Sequence, residues 1–228
     1  GRETIFPLKV EAEGDDKGSE TLFTQATINI RTDFLGPAFA ELPSNFVFSA
    51  IYALLSATEY QRRYIQYLKE DFPRVPLPKD KILCTTLSKL GEELILVQCS
   101  NENITNENYD TNEKLPAEYR NLIGQSVGRG FPKYSNDGFM VMVNDKTGIS
   151  NVSLEVWSYY AGGYQILHKI MKDRVGHVLT EVEVKSYFNA VHSIMKSIEL
   201  IRSIDTVIDD FGGFPGAFVS GEFSSEPN

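Results

Sequence analysis

The sequence predicts an α+β fold: a mainly helical domain with a β-hairpin or small antiparallel sheet and a long C-terminal helix. Apolar residues recur at three- and four-residue spacing over 45–70, 81–99 and 181–205, as on one face of a helix. An Asn-Asp-Gly turn interrupts the apolar stretch "FPKYSNDGFMVMVN", which is typical of a β-hairpin. With 228 residues, the chain is long enough to bury a substantial core.

The helices follow from local signals in chain order. "SAT" at 56–58 offers a Ser/Thr break, so two tightly joined helices are predicted over 45–70. Asp80 is placed to cap a third helix over 81–99. One face of that helix would carry Leu83, Leu87, Leu90, Leu94 and Val97. Thr180 and Glu183 form a capping box at the start of the last helix. Its apolar stripe would consist of Val184, Tyr187, Phe188, Val191, Ile194, Met195, Ile198 and Ile201.

The composition argues against several classes of function. A net charge of −9 is unfavourable for a general nucleic-acid coat, since phosphate contacts need clustered Lys and Arg. The sequence contains no GxxxxGK[ST], so no P-loop is predicted. It has a GxSxG match in "GQSVG" at 124–128, but these glycines do not follow a predicted strand and open a helix, so no hydrolase elbow is predicted. No apolar run reaches the roughly 20 residues of a membrane span. We expect no catalytic site within this chain, and the start at Gly1 suggests a fragment of a longer protein.

The cysteines and histidines do not predict a metal site. His168, His177 and His192 share no metal-ligand spacing with each other or with Cys84 and Cys99. Both cysteines are expected to be buried or half-buried thiols, too far apart along one helix for a disulfide. Such thiols fit a reducing cytoplasm.

The stretch "DFPRVPLP" at 71–78 has two interpretations. Its three prolines stiffen the chain between two predicted helices, so it is either a strut within one domain or a ligand for a partner's aromatic groove. In the second interpretation, the chain is a protein–protein interaction module that presents this stretch to a partner. Burial of the stretch would exclude that interpretation.

Two blocks of sequence resemble one known family. "AIYALLSATEYQRRYIQYLKEDFPRVPLPKDKILCTTLSKLGEELILV" is similar to the C-terminal specificity region of bacterial single-polypeptide Type ISP restriction–modification enzymes, where "DFPRIPLP" precedes an "LGxEL" helix. "VSLEVWSYYAGGYQILHKIMKDRVGHVLT" resembles that family's "VPxEVWxFxIGGYQVLxKWLKDRKGRxLS", with Ile170 and Met171 where Trp-Leu is usual. The resemblance covers most of residues 42–205.

The resemblance implies a role for a longer polypeptide. Such enzymes join a nuclease, an ATP-driven helicase-like translocase, an adenine-N6 methyltransferase and a target recognition domain, and this chain resembles only the last. It implies double-stranded DNA and the methyltransferase domain of the same polypeptide as partners, and a cytoplasmic location. S-adenosylmethionine, ATP and Mg would serve the parent polypeptide, with no cofactor in this fragment. Expected segments are 1–45, joining an upstream methyltransferase-like region, the recognition domain at 46–208, and a flexible tail at 209–228.

Base-reading residues are expected in the polar loop 101–122 and the hairpin region 127–143. Reading a base edge needs hydrogen-bonding side chains, typically Arg or Lys for guanine and Asn or Gln for adenine. The candidates are Asn121, Gln125, Arg129, Lys133, Tyr134 and Asn136. An ordinary surface loop and turn is the alternative for each of them.

Phosphate-contacting residues are expected on a basic helix face. "GGYQILHKIMKDR" suggests a helix opened by Gly162 and Gly163, with Lys169, Lys172 and Arg174 along a phosphate backbone. The alternative is a solvated face with Gly163 packed against a neighbour. Arg74 is a further phosphate candidate, while Trp157 and Tyr164 are expected in the core.

The acidic composition suggests that, in a DNA-reading enzyme, base contacts and phosphate contacts are made by different domains. A domain that contacts mainly base edges can be acidic if another domain grips the phosphates. The isolated fragment would then bind DNA weakly. A stand-alone enzyme remains a third possibility, which a deep pocket with converging titratable groups would favour.

Overall fold

The computed structural model of the chain describes residues 9–11, 26–28, 38–39, 42–70, 74–99 and 115–219. It divides into two compact units. Unit 1 comprises Gly1–Ile95 and Leu200–Asn228, and unit 2 comprises Leu96–Glu199. The predicted fold class is confirmed, because helices predominate and the strands form small antiparallel sheets.

Unit 1 contains three of the longer helices. They are α1 (Ser44–Ser56), α2 (Thr58–Glu70) and most of α3 (Lys81–Cys99). The predicted joint is confirmed at Ala57, whose N–H donates back to the carbonyls of Ala53 and Leu54. Gly91 of α3 lies against the Ser49 carbonyl of α1, where any Cβ would clash. The glycine is therefore required by the close approach of the two helices.

The predicted start of α3 is also confirmed. The Asp80 carboxylate accepts hydrogen bonds from the N–H groups of Ile82 and Leu83, at 2.6 and 3.3 Å. Leu83, Leu87 and Leu94 of the predicted face are fully buried. Two short strands also belong to unit 1, and β1 (Lys9–Glu11) pairs antiparallel with β2 (Ala26–Ile28).

The proline stretch is part of the framework of unit 1. Pro76 and Pro78 are buried, and the Tyr60 hydroxyl donates to the Arg74 carbonyl at 2.8 Å. The Leu77 carbonyl accepts a hydrogen bond from the Val219 N–H at 2.8 Å. This burial and main-chain pairing favour the strut over the ligand, and residues 71–73 lie outside the described part.

The chain beyond residue 209 differs from the predicted flexible tail. The last helix continues to Asp210, and α8 (Gly213–Gly216) follows. Ala217 and Phe218 are buried, and the Ala217 carbonyl accepts the N–H of Lys79. The main chain at 217–219 pairs with the proline stretch. This is a long-range contact that no local sequence pattern reveals, which is why the sequence predicted a flexible tail. Residues 220–228 lie outside the described part.

Unit 2 combines short helices and strands with the long last helix. Its elements are α4 (Ala117–Arg120), β3 (Lys133–Ser135), β4 (Met140–Met142), β5 (Gly148–Ile149), α5 (Leu154–Trp157), β6 (Tyr160–Ala161), β7 (Tyr164–Gln165), α6 (Ile166–Lys172) and the first part of α7 (Glu181–Asp210). The predicted hairpin is confirmed as β3 and β4, with Tyr134 opposite Val141. β5 adds a third antiparallel strand that the sequence analysis missed.

The core of unit 2 lies between α7 and the shorter elements. Val184, Tyr187, Val191 and Ile194 of the predicted α7 stripe are buried, while Met195 is 48% exposed and does not belong to it. The predicted loop 101–122 ends earlier than expected, because Tyr119 and Leu122 are buried around α4. Residues 100–114 of that loop lie outside the described part.

The two cysteines differ in their surroundings. Cys84 is buried, and desolvation raises the pKa of its thiol to about 12. Cys99 is exposed at the last position of α3, so the expectation of a buried or half-buried thiol is wrong there. Within the described ranges, no group of three or more His, Cys, Asp or Glu side chains could hold a metal ion. None of the helices described is long and apolar enough to cross a membrane.

Candidate nucleic-acid interface

A tight turn presents the predicted base-reading Arg129. The Phe131 N–H donates to the Gly128 carbonyl at 3.1 Å, which closes a β-turn over 128–131. Gly130 has a φ of 84°, the conformation that a type II turn requires at its third position. Arg129 therefore occupies the second position, with an exposed side chain. Among the described residues, no hydrogen-bond or ion-pair partner contacts its guanidinium.

The turn is held in place from two sides. Before it, the Val127 N–H donates to the His177 carbonyl, and the Gly176 N–H donates to the Val127 carbonyl at 2.9 Å. The Gly128 N–H donates to the Val143 carbonyl at 2.8 Å. The turn is therefore fixed between the segment after α6 and the end of β4.

An open cleft of about 410 Å³ lies between this turn and α6. It is lined by Gly130, Phe131, Pro132, His168, Lys172 and Val175. His168 and Lys172 are four residues apart on α6, so they share one helix face. The cleft thus brings one predicted phosphate residue next to the predicted base-reading turn, two regions about forty positions apart in the sequence.

Local charge at the cleft is opposite in sign to that of the whole chain. Among the described residues, the six that line the cleft include no carboxylate. Residues 119–136 contain three basic and no acidic side chains. Residues 115–199 contain nine basic and eight acidic side chains, which gives a formal charge of +1. Since the whole chain has a net charge of −9, the remaining residues together carry −10. The acidic composition therefore belongs to other parts of the chain.

The other base-reading candidates are placed differently from one another. Asn121 is exposed after α4, and Asn136 is exposed at the tip of the β3–β4 hairpin. Lys133 is exposed, with its Nζ 4.7 Å from the centre of the Phe131 ring. Gln125 is half-buried, and its side-chain oxygen accepts a 3.4 Å hydrogen bond from the Thr147 hydroxyl.

Tyr134 serves the framework of unit 2. Its hydroxyl donates to the Val152 carbonyl at 2.9 Å, and its ring stacks on Trp157 with 5.8 Å between ring centres. Both its polar atom and its ring are therefore engaged within unit 2.

The predicted phosphate residues also separate into distinct roles. Lys172 lines the cleft, whereas Lys169 forms an exposed 2.7 Å ion pair with Asp173. The Arg174 guanidinium donates to Glu183 at 3.1 Å and to the Ile170 carbonyl at 2.7 Å, so it joins α6 to the start of α7. Arg74 is exposed in unit 1.

The glycines at 162 and 163 turn a hairpin rather than open a helix. β6 pairs antiparallel with β7, and the two glycines between them have φ values of 57° and 81°. α6 begins only at Ile166, and a Cβ at either glycine would meet no atom of the described part within 4 Å. Both sequence interpretations, the helix opening and the close packing of Gly163, are therefore wrong.

This hairpin also exposes two aromatic side chains, one of which was predicted to lie in the core. Trp157 is 8% exposed, which confirms its predicted place in the core. Tyr164 is 59% exposed and Tyr160 is 64% exposed, so the expected burial of Tyr164 is wrong. The sequence did not predict a site for His168, and its four-residue spacing to Lys172 on α6 is the signal that could have placed it on the cleft.

Comparison with known proteins shows the family. The family described as the Type ISP C-terminal specificity domain matches residues 1–203. No curated protein matched the chain. A solved structure of the ATP-dependent Type ISP restriction–modification enzyme LlaBIII bound to DNA is similar in fold, with a TM-score of 0.50, 17% identity and 86% of this chain covered.

A second solved structure is a nuclease-deletion mutant of the Type ISP enzyme LlaGI in complex with a DNA substrate mimic. It matches with a TM-score of 0.48, 21% identity and 79% of this chain covered. The chain spans 14% of the length of LlaGI and 13% of that of LlaBIII. The family match extends over more than half of the chain and agrees with the resemblance seen in the sequence. The chain belongs to the Type ISP C-terminal specificity domain family.

Proposed function

We propose that this chain is a target recognition domain that reads a short sequence of double-stranded DNA for a bacterial restriction–modification enzyme. The observation that carries the proposal is the family match together with the turn at 128–131. Within the described part, Arg129 of this turn has no partner, and the lining of the adjacent cleft has no carboxylate. An exposed guanidinium on a rigid turn suits bidentate hydrogen bonding to a guanine edge.

Within a longer polypeptide, the domain would hold duplex DNA against an adenine-N6 methyltransferase domain. The nuclease and the translocase would lie elsewhere in that polypeptide, as would the sites for S-adenosylmethionine, ATP and Mg. This chain would carry no catalytic step itself. Such an enzyme would act on DNA in the bacterial cytoplasm.

The hairpin tip would supply a second reading position. Asn136 is exposed there, and the Asn side chain can donate to and accept from adenine simultaneously. The pairing of β3 with β4 fixes the hairpin that carries Asn136. The segment between Arg129 and Asn136 is therefore held in a defined conformation. Two readers on a fixed frame would favour one arrangement of bases over others.

The interaction-module alternative receives less support. Its proposed ligand, the proline stretch, has Pro76 and Pro78 buried and Leu77 paired through its carbonyl. A groove-binding proline ligand must be exposed. The stand-alone enzyme is likewise less favoured, because the cleft is open and the described part of its lining offers one Lys and one His as titratable groups.

The test is sequence selection by the full-length polypeptide from a random duplex library at fixed, moderate salt. We expect Arg129→Ala and Asn136→Ala each to relax selection at one position, at a cost of about 1–3 kcal/mol for the preferred base. Asn189→Ala, which removes an exposed amide from α7, is the matched control and should leave selection unchanged.

The possible outcomes distinguish the DNA recognition function from the roles assigned to Arg129 and Asn136. Selection by the wild type that neither variant alters would refute the roles of Arg129 and Asn136 but leave DNA recognition intact. If the wild type enriches no sequence, the recognition function itself is contradicted, and the interaction module becomes the better proposal.

A further inference from the structure

The cleft beside the reading turn is rich in hydrogen-bond donors. Lys172 contributes an exposed ammonium, and His168 contributes a half-buried imidazole. Within the described ranges, neither side chain takes part in a hydrogen bond or an ion pair. The His168 ring meets Trp157 edge-on, with 6.0 Å between ring centres, so its position on the cleft wall is set by the core.

The backbone adds a further donor to the same cleft. Gly130 lines it, and no acceptor in the described part of the chain receives the N–H of this residue. In a turn closed between its first and fourth residues, the N–H groups of the two central residues remain available for a ligand. A Cβ at Gly130 would meet nothing described within 4 Å, so the backbone there is open to approach.

We propose that this cleft seats one phosphate of the DNA backbone, with Lys172 as its principal contact and His168 and the Gly130 N–H as supporting donors. The inference rests on the proposed function and deepens it, because it assigns the cleft to a contact that is independent of base sequence. Seating the phosphate there positions Arg129, the preceding residue of the turn, against the adjacent base edges.

Charge and chemistry favour a phosphate over a base in this cleft. An anionic oxygen prefers ammonium and N–H donors and avoids carboxylates, and the polar side chains of the described lining are all of the former kind. Lys acts toward phosphate as a point charge, whereas guanine reading in proteins relies most often on the fork of Arg. Phe131, Pro132 and Val175 provide apolar walls on which the adjoining deoxyribose can rest.

The experiment measures DNA affinity of the full-length polypeptide against salt concentration, using its selected duplex and a scrambled duplex. For Lys172→Gln we expect about a five- to tenfold loss of affinity at 0.1 M salt, equal for both duplexes. The slope of log affinity against log salt should decrease by about 0.9, the value for one lost phosphate contact. Lys172→Arg, which keeps the charge, should retain most of the affinity.

A matched control shows whether the change in salt dependence comes from the cleft or from the loss of any lysine charge. Lys196→Gln removes the same charge from a half-buried lysine of α7 that pairs with Glu199, and it should leave the slope unchanged. Duplexes in which single phosphates are replaced by neutral methylphosphonates give the direct readout. One position should weaken the wild type, and Lys172→Gln should be insensitive at that same position.

Several results would overturn the proposal. If Lys172→Gln changes which sequence is selected, the residue reads a base and does not hold a phosphate. If its slope equals that of Lys196→Gln, the cleft makes no backbone contact. If inorganic phosphate alone shifts the NMR signals of Gly130 and His168 while Lys172→Gln binds DNA as the wild type does, the site takes a free anion.

Failure of the proposed function would be seen separately. If the wild type selects no sequence, target recognition is contradicted, yet the salt slope and the methylphosphonate scan still apply to random duplexes. A reduced slope there supports the phosphate seat, and an unchanged slope overturns it.

Discussion

At the scale of single residues, the hydroxyl of Tyr187 is the least explained polar group in the core of unit 2. The side chain is fully buried, and the hydroxyl oxygen has no hydrogen-bond partner among the described residues. Desolvation accordingly raises the pKa of this phenol far above its ordinary value. A buried hydroxyl without a partner costs free energy that a partner would otherwise offset.

We therefore expect Tyr187→Phe to leave the free energy of unfolding unchanged or to raise it by up to about 1 kcal/mol. Phenylalanine keeps the ring and removes only the unpartnered hydroxyl. Tyr134→Phe is the control, because it breaks the hydrogen bond to Val152 and should cost about 1 kcal/mol. Denaturant unfolding can be followed by fluorescence, since Trp157 is the sole tryptophan of the chain. A clear loss of stability for Tyr187→Phe would show that a water or polar group binds the hydroxyl.

At the scale of elements, the start of α7 is a reciprocal capping box. The Thr180 N–H donates to the Glu183 carboxylate at 3.0 Å, and the Glu183 N–H donates to the Thr180 hydroxyl at 3.3 Å. Arg174 donates to the other oxygen of the same carboxylate at 3.1 Å, which links α7 to the end of α6. These bonds to Thr180, with the charge of Arg174, lower the pKa of Glu183 below its ordinary value.

The lowered pKa predicts how the capping box responds to acid. A carboxyl whose pKa falls on folding stabilises the folded state above its unfolded pKa, and the contribution disappears as pH falls through the folded pKa. Glu183→Gln should cost about 0.5–1 kcal/mol at pH 7, a modest value because solvent reaches the partly exposed carboxylate. The difference from the wild type should shrink at pH 3, as measured by denaturant unfolding at both pH values. An equal difference at both pH values would contradict the ionic origin.

Local signals predicted some elements well and others poorly. The Thr180–Glu183 box, the Asp80 cap and the turn around Asn136–Gly138 were predicted because each is encoded within a few neighbouring residues. The β6–β7 hairpin was missed because Gly162 and Gly163 fit a turn and a helix opening equally well in sequence. The two-residue strand β5 was missed because only its pairing with β4 defines it.

At the scale of the whole molecule, the sequence predicted which residues could belong to the interface, but it did not predict how they are arranged. Arg129 and Lys172 were both candidates, yet nothing in the sequence indicates that residues 130–132 and 168–175 border one cleft. Arg174 and Tyr134 were candidates by residue type alone, and their tertiary contacts assign them to the framework. Side-chain chemistry can be read from sequence, whereas whether that chemistry is already engaged depends on packing.

The uneven distribution of charge leads to a prediction about the isolated chain. The stretch 115–199 carries +1 while the remainder carries −10, so the isolated domain has few cations for phosphates and much that repels DNA. We expect the chain alone to bind its selected duplex at least about 100-fold more weakly than the full-length polypeptide at 0.15 M salt. The slope of log affinity against log salt should then correspond to no more than about three phosphate contacts.

Fluorescence anisotropy of a labelled duplex, measured from low to moderate salt for both proteins, checks this prediction. Circular dichroism and the emission of buried Trp157 establish that the isolated chain is folded during the measurement. A steep slope for the isolated chain, equal to that of the full-length polypeptide, would mean that this domain supplies the main phosphate grip. A shallow slope with retained sequence preference would mean that base reading belongs to this domain, and most of the binding energy to the remainder of the enzyme.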